Sequence, residues 1–399
     1  ITTHILVDNI SVSFAQFIYS PILCNQEDEK MPFGEEQIEQ GVGLSLSGGG
    51  YRAVLFHVGT LWRLNELGIL SQLLRVSSVS GGAIAAGVLA VRWSKLHFDG
   101  QGKAINFVEE IVEPLRRFCS IGIDVSSVIT GTFNPFKTIG DQVADEYRER
   151  LGLGVRLCDL ADQPGQPGQP RFVFNATNYA TGSSFRFSQP YAGDYRLGLI
   201  RHPTFDVATA VTCSSAFPPV LAPIELEVDP EAFEYTKGAD LWAQKDFRRR
   251  LSLADGGVYD NMGLETVWKR FTTVLVSDAG KPFQMDAGVG SIAPKQILRV
   301  MDIALNQALA LRKRVIIDAF KHGLGGAYWG INTLIADYQT ESFLVKPEKI
   351  RELSSIRTRL DRFNEEEQCE LINWGYAVSD AAVHAHAPEL IKALTPRSW

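Results

Sequence analysis

Apolar positions divide the chain into short continuous runs and longer stretches of helical period. Residues 42–47 (VGLSLS) form a short apolar run that predicts a buried strand, and it passes directly into Gly48-Gly49-Gly50. From 51 to 67, Val54, Leu55, Val58, Leu61, Trp62 and Leu64 recur at helical spacing, and Gly68 stops the pattern. A second run, 74–79, predicts another strand, which turns at Ser80-Gly81-Gly82 into a small-residue apolar helix over 83–93. Strand, helix, strand and helix in this order predict a parallel βαβ unit, because parallel neighbours need a crossover that a helix normally supplies.

The later pattern continues the alternation. Segments 108–118 and 139–151 carry mixed helical signals, and a Pro-Gly-Gln repeat between Asp162 and Pro170 predicts an exposed loop without a domain boundary. Residues 171–179 (RFVFNATNY) and 184–188 predict strands, and 207–215, closed by Phe217-Pro218-Pro219, predicts a helix. A short strand over 251–254 delivers Asp255-Gly256-Gly257, and 273–277 (TVLVS) predicts one more buried strand. From 297 onward the pattern is mainly helical, with an Arg- and Glu-rich segment, 350–368, as a covering element. The whole reads as an α/β sandwich. It divides into an N-terminal extension (1–40), a catalytic core (41–285) and a helical C-terminal region packed on that core (286–399).

Composition narrows the possibilities. The 399 residues, 45% hydrophobic, can bury a sizeable core. A formal net charge of -7 argues against nucleic acid as a partner, since such binders need a basic face to displace counterions. Cys24, Cys119, Cys158, Cys213 and Cys369 are odd in number and far apart, so neither a disulfide framework nor a zinc site is expected, and a reducing compartment follows. The chain opens on Ile1, no basic region or cleavage pattern marks a signal peptide, and no apolar run approaches the ~18 residues that span a bilayer. A cytoplasmic protein, peripheral at a membrane, is the expectation.

Three turns carry candidate chemistry. Ser80 stands in Ser78-Val79-Ser80-Gly81-Gly82, a variant of G-x-S-x-G in which Ser78 replaces the first glycine. A nucleophile on a tight strand-to-helix turn needs small neighbours two positions away on each side, and the following helix directs its positive end at the site. The bland alternative is a tight packing turn. Gly48-Gly49-Gly50-Tyr51-Arg52 lies about one βαβ unit upstream, where consecutive glycines let backbone N–H groups converge on an oxyanion. A phosphate-binding loop competes, but neither G-x-x-x-x-G-K-[ST] nor G-x-G-x-x-G is present. Arg52 either braces the glycine loop through carbonyl contacts, approaches a lipid phosphate or is solvated. Asp255 follows a strand and precedes Gly256 and Gly257, so it can approach another loop as a general base, or it is only an Asp-Gly turn. The run Arg248 to Arg250 meets anionic head groups or forms a solvated turn. A parallel sheet would gather all three turns on one edge, and their conjunction points to catalysis.

In these pieces the chain resembles the patatin-like phospholipases, bacterial members above all, and more distantly the cytosolic phospholipases that share their dyad. Gly48 to Arg52, Ser78 to Gly82, Ser214-Ser215-Ala216-Phe217-Pro218-Pro219 and Asp255-Gly256-Gly257 match in family order, and 273–283 and 356–382, including Asn373-Trp374-Gly375-Tyr376, look like bacterial members. Ser78 stands where most members have glycine, and Ser47 where plant patatins have aspartate. The resemblance implies a three-layer α/β/α sandwich with a mainly parallel central sheet. It further implies Ser80 as nucleophile, Asp255 as base, the backbone of Gly48, Gly49 and Gly50 as oxyanion hole, and Arg52, Gly82, Gly256 and Gly257 in support. The implied activity is a phospholipase A or lysophospholipase reaction on membrane lipid, with no metal or organic cofactor. The run Phe217 to Leu221 either lines an acyl groove or packs in the core.

Two rivals stand beside this reading. An α/β-hydrolase triad in the order Ser, Asp, His would draw on His322, His384 or His386, whereas His57 reads as a packed or capping residue. A lipid-binding protein that keeps the fold without turnover is the other.

Overall fold

β1 (Glu39–Leu46) lies at the middle of the site-bearing part of the sheet because both of its edges find parallel partners. On one side it pairs with β2 (Leu73–Ser78) and on the other with β10 (Phe271–Asp278). β11 (Gly325–Gly330) extends the parallel set beyond β10, and β3 (Arg171–Asn178) extends it beyond β2. Past β3 the sheet continues antiparallel through β4 (Ser183–Ser188), β5 (Tyr191–Asp194), β6 (Gly198–Arg201) and β8 (Phe233–Glu234). β9 (Arg250–Asp255) also pairs antiparallel with β3, and with β7 (Ile224–Glu227). This computed structural model describes residues 38–122, 138–160, 168–290, 292–339, 345–358 and 360–392. The expected extension up to 37, with Cys24, and the 161–167 portion of the Pro-Gly-Gln repeat lie outside the described residues.

Helices cover both faces. α1 (Gly50–Glu66) and α2 (Gly81–Arg92) leave the C-terminal ends of β1 and β2 and are buried nearly all round; α2 is almost wholly apolar, whereas α1 carries Arg52, His57, Arg63 and Glu66 inward to polar partners. A five-residue π-helical stretch, Val108–Val112, leads into α3 (Glu113–Cys119), and α4 (Ile139–Leu151) and α5 (Val207–Ser215) lie on the same core. Two single-turn helices, α6 (Asp246–Arg249) and α7 (Gly257–Asp260), flank β9. Leu275 of β10 points into this main core, while Val274 and Val276 point to the other face, where Ile316 of α8 (Ala293–Lys321) covers them together with Met262 and Phe271. The result is a three-layer α/β sandwich.

The C-terminal region is bound into the core. β11 belongs to the main sheet, and α9 (Pro347–Ser355) precedes α10 (Glu365–His386), which lies against α1. The approach is close because it is made at glycines: a methyl group on Gly59 would collide with the Ile372 carbonyl, and one on Gly375 with the Phe56 carbonyl. Arg63 on α1 reaches Asp380 on α10 at 2.8 Å and Glu66 at 3.0 Å, an ion cluster out of solvent that fixes register. Trp374 donates its indole N–H to the Ile331 carbonyl at 2.7 Å. The Asn373-Trp374-Gly375-Tyr376 stretch thus holds α1, and with it the glycine loop at the start of α1.

Candidate active site

The strand registers carry Ser80 and Asp255 to one place. Ser78 pairs with Phe174 of β3, and Asp255 with Ala176, two positions further along the same strand, so Asp255 lies level with the turn that Ser80 occupies. Ser80 itself adopts φ 52 and ψ -119, a conformation rare outside glycine, and caps α2. Close packing forces this turn: a Cβ on Gly82 would stand 2.5 Å from the Leu46 carbonyl oxygen and 2.6 Å from that of Ser47. Ser78 is tolerated in place of glycine because its hydroxyl donates to the Val173 carbonyl at 3.1 Å. The Ser80 N–H donates to Ser214 Oγ at 3.0 Å, and Ser214 Oγ donates in turn to the Asn175 carbonyl at 2.7 Å.

Asp255 is 2% exposed and Ser80 8% exposed. Burial raises the Asp255 carboxyl from 3.8 to about 6, against the pull of hydrogen bonds from the Gly257 N–H and the Ser80 side chain. Gly257 N–H donates to Asp255 Oδ1 at 2.7 Å, and Thr177 Oγ1 donates to the Asp255 carbonyl at 2.8 Å. Gly256 lies so near β3 that a methyl there would meet the Asn175 carbonyl.

The glycine loop lies alongside, with a Cβ on Gly48 only 3.1 Å from Ser80 Cβ. Gly49 (φ 146) and Gly50 (φ 58) take conformations that a side chain resists, which explains the glycines. Gly48 N–H is spent on the Asn261 carbonyl at 2.9 Å, whereas the N–H groups of Gly49, Gly50 and Gly81 donate to no acceptor among the described residues. Arg52 is fully buried. Its guanidinium donates to the carbonyls of Ala279 at 2.8 Å, Ile356 at 2.8 Å and Ser354 at 3.1 Å, and desolvation draws it down to about 10. These carbonyls lie just after β10 and at the end of α9, so Arg52 ties the start of α1 to those segments and not to carbonyls of the glycine loop itself. Ser47 secures the same loop by accepting the Ala279 N–H at 2.7 Å.

The histidines are committed elsewhere. His57 is buried between the Ser47 carbonyl, 2.9 Å from Nε2, and Ser277 Oγ, 2.9 Å from Nδ1. Burial lowers its imidazole to about 4, so it is neutral, and because a carbonyl only accepts, the proton resides on Nε2. His322 and His384 turn Nδ1 to the carbonyls of Asp318 and Asp380, and His386 lies edge-on to Tyr338. In the basic run Arg248 is buried with its guanidinium 3.9 Å from the Trp242 ring centre, while Arg249 and Arg250 are exposed, Arg249 standing 4.0 Å from Asp246 and Arg250 pairing with Glu225. Phe217 and Val220 are exposed, while Leu221 packs against the core. Two clefts, of about 410 and 230 Å³, open at Arg116 and Arg362 and at Arg75 and Arg171, and neither is lined by Ser80 or Asp255.

Ser214 and Asn175 support the turn from behind, and sequence reasoning assigned neither a role at the site. Ser214 stood in the stretch shared with the family, but Asn175 had no signal, since it lies mid-strand in an apolar run. Its Nδ2 donates to Ser77 Oγ and the Ser78 carbonyl, each at 3.0 Å.

A serine on a strand-to-helix turn at the edge of a largely parallel α/β sandwich is the arrangement of a hydrolase fold. The chain belongs to the patatin-like phospholipase family, whose pattern it matches over residues 44–268, more than half its length. It shares its fold with human GIVD cytosolic phospholipase A2. The structure of that enzyme with methyl gamma-linolenyl fluorophosphonate and terbium chloride aligns at a TM-score of 0.51 and 16% identity, covering 86% of this chain and 58% of that one. A second structure of the enzyme aligns at 0.52 and 12%, covering 88% and 60%. This chain therefore spans under two thirds of the length of that enzyme. No curated protein matches it. Membership supports lipid hydrolysis in general, and no helix among the described residues is long and apolar enough to cross a membrane.

Proposed function

We propose that this chain is a serine acyl hydrolase that cleaves carboxylic esters of membrane phospholipids or lysophospholipids through a Ser80–Asp255 dyad. The observation that carries the reading is the strained Ser80 turn whose side chain hydrogen-bonds a buried carboxyl raised to about 6. A carboxyl near neutral pH is a competent proton acceptor and donor in turn, which an ordinary surface aspartate is not. Asp255 takes the Ser80 hydroxyl proton as Oγ attacks the ester carbonyl. The carbonyl oxygen becomes an oxyanion within the glycine loop, where the open N–H groups of Gly49 and Gly50, with that of Gly81, favour it over the neutral ester. Collapse expels the alcohol with the proton held by Asp255, leaving an acyl-serine. Asp255 then removes a proton from water, which attacks the acyl carbon, and the proton returns to Ser80 as the fatty acid leaves. No step calls on a metal or organic cofactor.

The committed histidines favour the dyad over a triad. The test is fatty-acid release from mixed phospholipid and lysophospholipid vesicles with calcium chelated. The parent and a variant lacking His322, His384 and His386 are expected to release it, and Ser80→Ala and Asp255→Asn are not. Release surviving Ser80→Ala refutes the nucleophile; loss on removing the three histidines restores the triad. No fluorophosphonate labelling of Ser80 in the parent would favour a lipid-binding protein without turnover.

A further inference from the structure

Three glycines, Gly48, Gly257 and Gly280, converge on one side chain. None of them has a left-handed φ, so their backbone would admit a larger residue, and it is space that excludes one. Much of that space is taken by the carboxamide of Asn261, the residue that caps α7. A Cβ on Gly48 would stand 2.5 Å from Asn261 Oδ1 and one on Gly257 2.6 Å from the same oxygen, while one on Gly280 would stand 3.1 Å from Nδ2. The first two points lie 3.1 Å from Ser80 Cβ and 3.0 Å from Asp255 Oδ1. Asn261 Oδ1 is therefore no more than about two hydrogen-bond lengths from the Asp255 carboxylate and from Ser80 Cβ, the span that one water bridges.

The amide is also held in one sense. Its main-chain carbonyl accepts the Gly48 N–H at 2.9 Å, and Asp260 fixes the following turn by accepting the N–H groups of Met262 at 3.2 Å and Leu264 at 2.7 Å. On the Nδ2 side stands Asp278, whose Oδ1 would be 2.8 Å from the same Cβ on Gly280. Against the cost of burial, Lys313 at 3.0 Å keeps that carboxyl below the usual carboxylate range, so it is ionised. A carboxylate attracts the donor end of an amide, which leaves the acceptor end turned to the dyad. Neither Oδ1 nor Nδ2 hydrogen-bonds to another described residue, and Asn261 is half-buried, so both stay open to water.

An acceptor beside the dyad needs a donor that the reaction brings. In acylation the ester carries no O–H to the reacting carbon, and Ser80 gives its only hydroxyl proton to Asp255. In deacylation the water brings two O–H groups, and Asp255 takes one. We propose that Asn261 Oδ1 accepts the other, which turns a lone pair of the water toward the acyl carbon on Ser80. The water oxygen bonds to that carbon as its first proton passes to Asp255; the bond from carbon to Oγ then breaks, and Asp255 returns the proton to Oγ as the fatty acid leaves. The assignment rests on the acyl-hydrolase reading and adds to it a group that serves its second half alone.

The test separates the two halves with a p-nitrophenyl ester. Asn261→Leu keeps the volume without an acceptor, and Asn261→Ala removes the group without adding bulk. Both variants are expected to label with fluorophosphonate, and to release p-nitrophenol in a single turnover, within about threefold of the parent. Steady-state turnover is expected to fall about tenfold to a hundredfold, with an acyl-Ser80 adduct accumulating in the intact-mass spectrum. Methanol gives the sharper readout. It has one O–H, which Asp255 takes, so methanolysis does not need Asn261, and the ratio of methyl ester to fatty acid is expected to rise about tenfold or more in both variants. A loosened site slows every step together and leaves that ratio unchanged. Labelling and single-turnover release that fall in step with turnover, or an unchanged ratio, overturn the proposal. A parent that neither labels nor turns over defeats the acyl-hydrolase reading and the assignment with it, whereas an active parent whose ratio the variants match defeats the assignment alone.

Discussion

Replacing Asp255 by Asn exchanges a buried ionisable group for a neutral one of the same shape, and it acts on stability as well as on turnover. The carboxyl is raised from 3.8 to about 6 by burial. Folded chains therefore keep a proton that unfolded chains release between about pH 4 and 6, so the parent loses stability as pH rises through that window, and the loss is complete above it. At about 1.4 kcal/mol per pH unit, the deficit at pH 8 is about 3 kcal/mol. Asn keeps an oxygen to accept the Gly257 N–H and has no charge to desolvate, so Asp255→Asn is expected to be more stable than the parent by up to that amount. At about 2 cal/mol/K of unfolding entropy per residue, a chain of this length would melt about 3–4 °C higher. His57 supplies an opposing slope. Its imidazole is lowered from 6.5 to about 4, so unfolded chains take up a proton that folded chains refuse, and stability falls as pH falls through that range. The two slopes offset each other in the parent, and the variant keeps the His57 slope without the Asp255 one; the shifted carboxyls of Asp194, Asp206, Asp260 and Asp278 act on both proteins alike and drop out of the difference. Calorimetric melting at pH 4, 6 and 8 reads both. A variant with no higher Tm at pH 8, or an advantage that persists undiminished at pH 4, refutes the reasoning.

Arg52→Lys keeps the charge but cannot serve three carbonyls from one planar fork. It is expected to cost about 2–4 kcal/mol in denaturant unfolding and to lower kcat more than KM, because the first turn of α1, which follows directly on the glycine loop, loses its ties to residues 279, 354 and 356. Ser214→Ala leaves the Ser80 N–H without its acceptor and the Asn175 carbonyl without its donor. About 1–3 kcal/mol of stability and about tenfold in the rate of fluorophosphonate labelling are the expected losses; labelling at the parent rate would show that the Ser80 turn holds without it.

Much of the fold was legible because the strands that place the site are also its most apolar runs. Residues 42–47, 74–79 and 273–277 became β1, β2 and β10 with shifts of a few residues, and the helix over 207–215 matches α5. β11 escaped notice: Gly325 to Gly330 has neither a long apolar run nor clear alternation, and its strand form is imposed by pairing with β10 along its whole length. A methyl on Gly326 would collide with the Val274 carbonyl, so the glycine that weakens the strand signal is what lets the two strands approach. The polar braces were hidden for a related reason. Asn175, Ser214, Ser277 and His57 lie within apolar segments, where a lone polar residue gives no clue to whether it faces water or a buried partner.

Those braces also explain why an apolar core would not suffice here. A turn held at φ 52 relaxes unless its surroundings over-determine it, and apolar packing fixes position less sharply than directed hydrogen bonds do. Around Ser80 the bonds are directed from several strands: Asn175 on β3 holds β2 through the Ser78 carbonyl, Ser214 holds the Ser80 N–H, and His57 on α1 joins the Ser47 carbonyl to Ser277 on β10. Each bond crosses between elements that meet only in the folded chain, so the strain at the serine is sustained by the whole sandwich. The close contact of α10 with α1 is part of that support, because α1 begins in the glycine loop that lies beside Ser80.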